Sequence, residues 1–457
     1  MTWNSLRSSS FVRPSAGLLH GLLLGLTLYV AVHDPASIYP SAQDTDTSWG
    51  SGWLTPILAL ANVIVWGLTS SAEEKRLGRQ ALGRLPIVPA LAAGSLLIYS
   101  LWYAVSVHAP ILGWAQVAVA CAATLLLSSV LFAAGTDGRG VFVGITAAGI
   151  AVCAEGLVHL FSRLEDSRQL IALSGVRYGS GDPFLANRLG NGMLPYPTLL
   201  VSLLLVFASI SLGLAASAER RWGRLLALAA YLVNVVCIWL TASRGGLVIL
   251  VLLTFAHIGL IASDTLRGAN RPSGLRFMSA GAGCLMALIT GFIARLVLTR
   301  GSILRADGSL SSRVHMWRIC WRVFTQNPLT GGGPGAFQHA WRVYIQHAPY
   351  PEYAVPHSLY FGILCEGGII LMAAVAALFC GIALEVWRIA RSNGPVTERR
   401  LLLAFALGLL AVLVHDLNEN SFQMHAIYLL SCVFAGMVIG IRARYLRYNG
   451  VGGAPGE

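Results

Sequence analysis

Apolar residues run along this chain in long blocks separated by short, charged connectors. Blocks of roughly 18 or more apolar residues are long enough to cross a bilayer as helices. The pattern predicts twelve of them, at 15–32, 53–70, 86–107, 111–134, 141–161, 195–217, 223–241, 245–263, 276–298, 357–387, 399–417 and 423–441. The tenth is long enough to tilt or to extend beyond the bilayer. The expected fold class is therefore an all-α polytopic membrane protein of about twelve transmembrane helices. Its predicted order is five spans in 1–161, a loop at 162–194, four spans in 195–298, a large loop with an amphipathic helix at 299–356, three spans in 357–441, and a tail at 442–457.

Composition agrees: of 457 residues, 56% are hydrophobic and only 11% charged. The net charge of +12 would suggest nucleic acid in a soluble protein, but in a polytopic one the question is on which side the basic residues lie. With the N-terminus inside, most of them fall in the inner connectors: Lys75, Arg76, Arg79 and Arg84; Arg220, Arg221 and Arg224; Arg267, Arg271 and Arg276; Arg388, Arg391, Arg399 and Arg400; and Arg442, Arg444 and Arg447. This positive-inside bias places both termini in the cytoplasm and both long loops outside. No nucleic-acid partner is expected; membrane lipids are. The first apolar run follows arginines as a signal peptide would, but no small-residue cleavage site is convincing, so it is read as a retained helix. The eight cysteines are scattered, without a CxxC pair, and read as small apolar core residues.

The outer segments hold the candidate chemistry. In SLSSRVHMWRICWRVFTQNP, Arg313, Trp317, Trp321 and Phe324 recur at i, i+4, i+8 and i+11, one face of a helix. Ser311 or Ser312 is placed to cap that helix, and Pro328 follows its end. The face suits an amphipathic helix on the membrane surface. It also suits an anion site, since Arg313 in the first turn puts a planar cation beside helix N–H groups. The following LTGGGPGAFQHAW lacks the lysine and preceding strand of a phosphate loop and is read as a bend returning the chain to the membrane. Pro356 suits a helix start, which puts His357 in the first turn as an interfacial polar residue or a general base. Glu366, before Gly367 and Gly368, is an intramembrane carboxylate or a buried post beside close-packing glycines. Arg244, in TASRGGLVIL, sits at the rim of the bilayer, where a guanidinium needs a partner. No acidic pair or His/Asp cluster has metal-ligand spacing on the outer face, so neither metal nor cofactor is expected.

Taken in order, TASRGGLVILVLL, SLSSRVHMWRICWRVFTQNPLTGGGPGAF and VPHSLYFGILCEGGII resemble the motifs of the O-antigen ligase and polymerase family of bacterial envelope enzymes. VHDLNENSFQMHA is similar to that family's last outward-facing motif, and SGDPFLANRLGNG to a degenerate form of its loop before the sixth span. The resemblance covers roughly residues 150–440; the first five spans match only in hydropathy and count. It implies a glycosyltransferase of the inner membrane acting at its periplasmic face, with an undecaprenyl-pyrophosphate-linked glycan as donor. Arg244 and Arg313 match the family's pyrophosphate-binding arginines, and His357 the residue that activates the acceptor hydroxyl. Trp317 and Trp321 are candidate substrate contacts. Where relatives carry an aspartate after a histidine, this chain reads His415, Asp416, Asn418 and Glu419; Glu419 has the better offset, with Asp416 the alternative.

Three functions stay open at this point: a ligase attaching finished glycan to lipid A core, a polymerase extending a growing polysaccharide by the same chemistry, and a transporter or flippase. The last should place ionisable groups near the midplane of paired broken helices, whereas here polar groups gather at one face.

Overall fold

A computed structural model describes residues 14–32, 54–70, 72, 75–76, 111–135, 138–174, 189–190, 197–267, 307–345, 356–392 and 394–451. Among them the regular structure is helical, with no strand: α1 (Pro14–Val32), α2 (Leu54–Thr69), α3 (Ile111–Ala134), α4 (Arg139–Ser174), α5 (Pro197–Ser217), α6 (Arg221–Leu240), α7 (Arg244–Arg267), α8 (Asp307–Gln326), α9 (Ala336–Ile345), α10 (Leu359–Arg391), α11 (Val396–His415) and α12 (His425–Val451). Six of these are long and apolar enough to cross a membrane. Helices cover ten of the predicted spans; 86–107 and 276–298 lie outside the described residues, as does most of the SGDPFLANRLGNG motif. α4 runs on to Ser174, well into the segment expected to be loop. Its apolar block ends near Phe161, but the polar residues that follow are still good helix formers, so hydropathy marks where the hydrocarbon ends and not where the helix does.

α5 is the central post, with 89% of its span buried, and it packs against α4, α6, α7 and α11. Two crossings are made by small residues four apart. A side chain on Gly21 or Gly25 of α1 would collide with the backbone of Gly140 or Gly144 in α4, and one on Gly436 or Gly440 of α12 with Ser128, Ser129 and the Leu125 carbonyl in α3. Such spacing lets backbones approach where lipid supplies no hydrophobic drive. Six of the eight cysteines come together in space as thiol pairs: Cys121 with Cys432, Cys153 with Cys237, and Cys320 with Cys365.

The two ends of the bundle differ in charge. At one, Arg139 reaches Glu219 at 2.8 Å and Thr397 at 3.5 Å. Arg400 donates to the Ala216 carbonyl at 2.9 Å, Arg442 pairs with Glu385 at 3.1 Å, and Arg444 pairs with Glu398. These ties gather the connectors whose basic residues set the predicted orientation. At the opposite end lie the starts of α5, α7, α10 and α12, with α8 and α9 packed on the first turns of α10.

α10 is not continuous. Gly368 has φ 60° and ψ −158°, which breaks the helix after Gly367. The open backbone groups are taken up by the loop between α8 and α9. Gly332 and Gly333 donate N–H groups to the carbonyls of Cys365 (2.8 Å) and Glu366 (3.0 Å), and Ile369 and Ile370 donate to those of Pro328 (2.9 Å) and Leu329 (3.2 Å). Non-helical backbone at membrane depth is tolerated where protein satisfies it, as here. Gly331 (φ 66°) and Gly368 lie so close to the opposing backbone that a Cβ on either would strike it. The glycine-rich stretch is thus the expected bend, and its N–H groups are engaged by α10. Gly367 and Gly368, read as helix-packing glycines beside Glu366, instead open the helix to this loop.

Candidate active site

Three of the residues singled out in the sequence meet at the end opposite these arginine ties, where α10 starts and α11 turns into α12. The α11–α12 turn brings Glu419 under His357, and the Nδ1 of His357 hydrogen-bonds one carboxylate oxygen. The other oxygen accepts from Arg313 Nη2 at 3.3 Å, while Arg313 Nη1 donates to the Asn418 carbonyl at 2.9 Å. His357 and Glu419 are only 8% and 2% exposed. Burial pushes the Glu419 carboxyl up, but the hydrogen bond and charge of His357, the charge of Arg313 and a hydrogen bond from Thr198 outweigh it and hold Glu419 down at about 2. Glu419, and not Asp416, is the acid that touches the histidine.

Local backbone fixes this arrangement. Leu359 N–H donates to the carbonyls of both Asp416 and Glu419, at 3.0 Å each, which docks the start of α10 on the turn. Ser358 is the N-cap of α10, its side chain accepting from Phe361 N–H. His357 therefore stands one residue before the cap, outside the helix; the expectation that Pro356 begins the helix is corrected by three residues. The cause is that a serine, which can accept from the helix's orphan N–H groups, outcompetes proline for the boundary. The His357 carbonyl accepts from Trp317 Nε1 at 3.2 Å, and Trp317 stacks on Phe361 with centroids 5.5 Å apart.

α8 differs from its expected form in two respects. It begins by Asp307, so Ser311 and Ser312 lie inside it and Arg313 is in its second turn, beyond the N-terminal N–H groups. Its buried stripe is Ser312, Met316, Ile319 and Cys320, packed with Phe337, Trp341 and Cys365. The Arg313–Trp317–Trp321–Phe324 face is the adjacent flank: Trp317 turns inward to the site, whereas Trp321 is exposed and packs on Phe324. Two neighbouring apolar stripes have the same period, and periodicity alone does not say which one is covered.

Arg244 enters from the tight turn between α6 and α7. Ala242 is held in the left-handed region at φ 53°, a conformation that is strained for a residue with a Cβ. Ser243 caps α7, its hydroxyl accepting from Gly246 N–H at 3.2 Å and its carbonyl from Leu247 N–H at 3.1 Å. The following glycines have different tasks: a side chain on Gly246 would collide with Val201 of α5, while Gly245 faces His415. The half-buried Arg244 guanidinium makes no hydrogen bond or ion pair with a described residue.

The sequence marks His415 only as a motif landmark. It is 5% exposed, and its Nδ1 lies 3.0 Å from Ser202 Oγ. Ser202 contacts Ser421 Oγ, which lies 2.6 Å from Asp416 Oδ1. The signal that could have flagged Ser202 is that it is a polar residue in an otherwise apolar run; Ser421 stands in the polar stretch NENSFQ and carries no such signal.

Among the described residues, no cluster of three or more histidine, cysteine or acidic side chains has metal-binding geometry. Residues 227–376 match the family model described as O-antigen ligase. That segment contains Arg244, Arg313 and His357; Glu419 and His415 lie beyond it. No curated protein matches the chain.

Proposed function

We propose that this chain, with an O-antigen ligase family segment at residues 227–376, transfers a glycan from undecaprenyl pyrophosphate to an acceptor hydroxyl at the periplasmic face of the inner membrane. The observation that carries the reading is the bond between His357 Nδ1 and Glu419. A carboxylate there takes the Nδ1 proton as its hydrogen bond and leaves the neutral ring's lone pair on Nε2, the arrangement of an oriented general base. Nε2 takes the proton of the acceptor hydroxyl as its oxygen attacks the anomeric carbon from the face opposite the leaving group. The bond from that carbon to the pyrophosphate oxygen breaks, the configuration inverts, and the electron pair leaves on the diphosphate.

Arg244 supplies a guanidinium that no described side chain neutralises, suited to forked hydrogen bonds with that diphosphate. Arg313 has two of its roughly five donors on Glu419 and Asn418, and the remainder serve the ligand. No metal is called for in this scheme. The ligase reading has lipid A core as acceptor; the alternative is a repeat-unit polymerase whose acceptor is another glycan.

Purified protein incubated with lipid-linked glycan alone, and then with lipid A core added, separates them. Glycan appearing on core only when core is present supports the ligase. Elongated lipid-linked chains without core assign a polymerase. No transfer under either condition, from protein that moves lipid-linked glycan across vesicles, returns the reading to a flippase.

A further inference from the structure

We infer that His415 is a second imidazole of the site, whose Nε2 accepts a hydrogen bond from a hydroxyl of the donor sugar in a corner completed by the start of α7. This rests on the proposed diphosphate donor. The hydrogen-bond path behind the ring sets which nitrogen carries the proton. Ser421 donates to Asp416 Oδ1 from both its N–H, at 3.0 Å, and its hydroxyl, at 2.6 Å. Oδ1 accepts both whether or not Asp416 carries a proton on Oδ2. With the Ser421 proton so engaged, the Ser202 hydroxyl donates to Ser421 Oγ. A hydroxyl has one proton, so Ser202 Oγ has only lone pairs left for the ring. His415 Nδ1, 3.0 Å away, therefore carries the ring proton and donates it. The neutral imidazole presents a lone pair at Nε2.

That lone pair and the helix start opposite it are both unused. His415 is 5% exposed, and Nε2 has no hydrogen-bond partner among the described residues. Cδ2, the carbon next to Nε2, lies 3.9 Å from where a Cβ on Gly245 would stand. The N–H groups of Arg244 and Gly245, the first two of α7, make no hydrogen bond with described residues, as the opening N–H groups of a helix have no partner within it. A hydroxyl oxygen serves both sides at once, accepting from N–H and donating to Nε2. An ionised phosphate oxygen has no proton to give and would face the lone pair. Arg244, read as a ligand of the diphosphate, heads the same helix, so the hydroxyl belongs to the sugar joined to that diphosphate. The two histidines differ in what stands behind them: Nδ1 of His357 is held by the Glu419 carboxylate, and Nδ1 of His415 by a hydroxyl. Positive charge arising on His357 meets an anion, whereas on His415 it would meet only a neutral dipole. His357 takes a proton, and His415 holds a hydroxyl without deprotonating it.

Initial-rate kinetics with lipid-linked glycan, and binding of farnesyl diphosphate, which has no sugar, test this on the full-length protein in detergent. His415→Phe should raise KM for the glycan about three- to tenfold, the loss of one hydrogen bond, and leave farnesyl diphosphate affinity unchanged. The turnover number kcat should also stay as it is, because the hydroxyl is held alike before and during reaction. His415→Gln puts a carbonyl acceptor near the position of Nε2 and should recover most of the KM. Ser202→Ala frees the ring's tautomer and should raise KM at least about twofold. Wild-type KM in His415→Phe, the result of a water alone filling the corner, overturns the inference; should that variant not insert, wild-type KM in Ser202→Ala does so. A matching loss of farnesyl diphosphate affinity overturns it because the corner then holds phosphate. Equal losses in His415→Phe and His415→Gln overturn it because shape and not acceptance then matters, and a fall in kcat at unchanged KM does so because the ring then acts in the bond-making step. In each case weakened farnesyl diphosphate binding in Arg244→Ala leaves the donor reading standing. If wild type neither binds farnesyl diphosphate nor transfers glycan, the donor reading fails and takes this inference with it.

Discussion

Although 62 positions apart in sequence, His357 and Glu419 share a hydrogen bond inside the protein, so the approach to α10 and the turn before α12 form one unit. Because the same carboxylate also holds Arg313, a change at Glu419 is felt by the proposed base and by one of the proposed phosphate ligands together.

Glu419→Gln is expected to lower the transfer rate by about two to four orders of magnitude, the scale of general-base catalysis. The amide can present N–H to Nδ1, which moves the ring proton to Nε2 and removes the base. Initial rates at matched expression decide it: a rate within threefold of wild type would strip Glu419 of its orienting role.

Acid should reveal the same residue through stability. Glu419 is held at about 2 against an ordinary 4.5, so its stabilisation is complete above about pH 4.5 and is lost as pH falls toward 2. Melting temperatures of wild type and Glu419→Gln should therefore converge across that window. A gap that stays constant from pH 6 to pH 2.5 would show that the folded carboxylate is not held down.

The two arginines should answer differently to lysine. Arg244 has no partner among the described residues, so Arg244→Lys should cut turnover about tenfold to hundredfold without moving the melting temperature. Arg313→Lys loses the fork that spans Glu419 and Asn418, and should lower both turnover and stability, the latter by about 1–3 kcal/mol. Non-additive loss in the double variant would be expected of ligands to one diphosphate. Wild-type turnover in either single variant removes that arginine from the list of forked ligands.

The joint at Gly368 makes a graded prediction. Gly331→Ala and Gly368→Ala each add backbone strain of about 1–3 kcal/mol and strike the opposing chain; both should separate the α8–α9 loop from α10 and abolish transfer. Gly333 also has positive φ, 86°, but open space around it, so Gly333→Ala should cost about 1 kcal/mol and spare activity. Equal tolerance of all three would mean the four backbone bonds are dispensable.

Orientation is checked by cysteine labelling. Cysteines placed at Ser180 and Ser309 should react with an impermeant maleimide in intact cells, and one at Ser273 only after permeabilisation. Labelling of Ser273 in intact cells would invert the molecule and put the site in the cytoplasm.

Much of this was legible in the chain because hydropathy reports directly on burial in lipid: the ends of α1, α2 and α3 fall within about a residue of the apolar blocks. Arg313, His357 and Glu419 stood out because charged or titratable groups are rare among such neighbours. What the sequence could not convey were relationships between backbones. The Gly21–Gly144 crossing, the break at Gly368 and the loop that fills it involve residues without side chains, which carry no hydropathy signal. Ser202 is not distinctive in the sequence because a serine on a membrane helix more often bonds its own backbone, as Ser211 does to Phe207 at 2.8 Å, and Ser421 is one polar residue among several in the turn before α12.

The joint between the loop and α10 is made by main-chain atoms, and that has a consequence for how such a molecule can diversify. Its demands on sequence reduce to glycine at 331 and 368, with the flanking side chains left unconstrained by the bonds themselves. The exposed flank of α8, where Trp321 and Arg322 stand, can therefore change while the register of the loop on α10 stays as it is. Precision and variability are carried by different parts of the same polymer: the peptide groups keep the loop in register, and the side chains around it are at liberty to change.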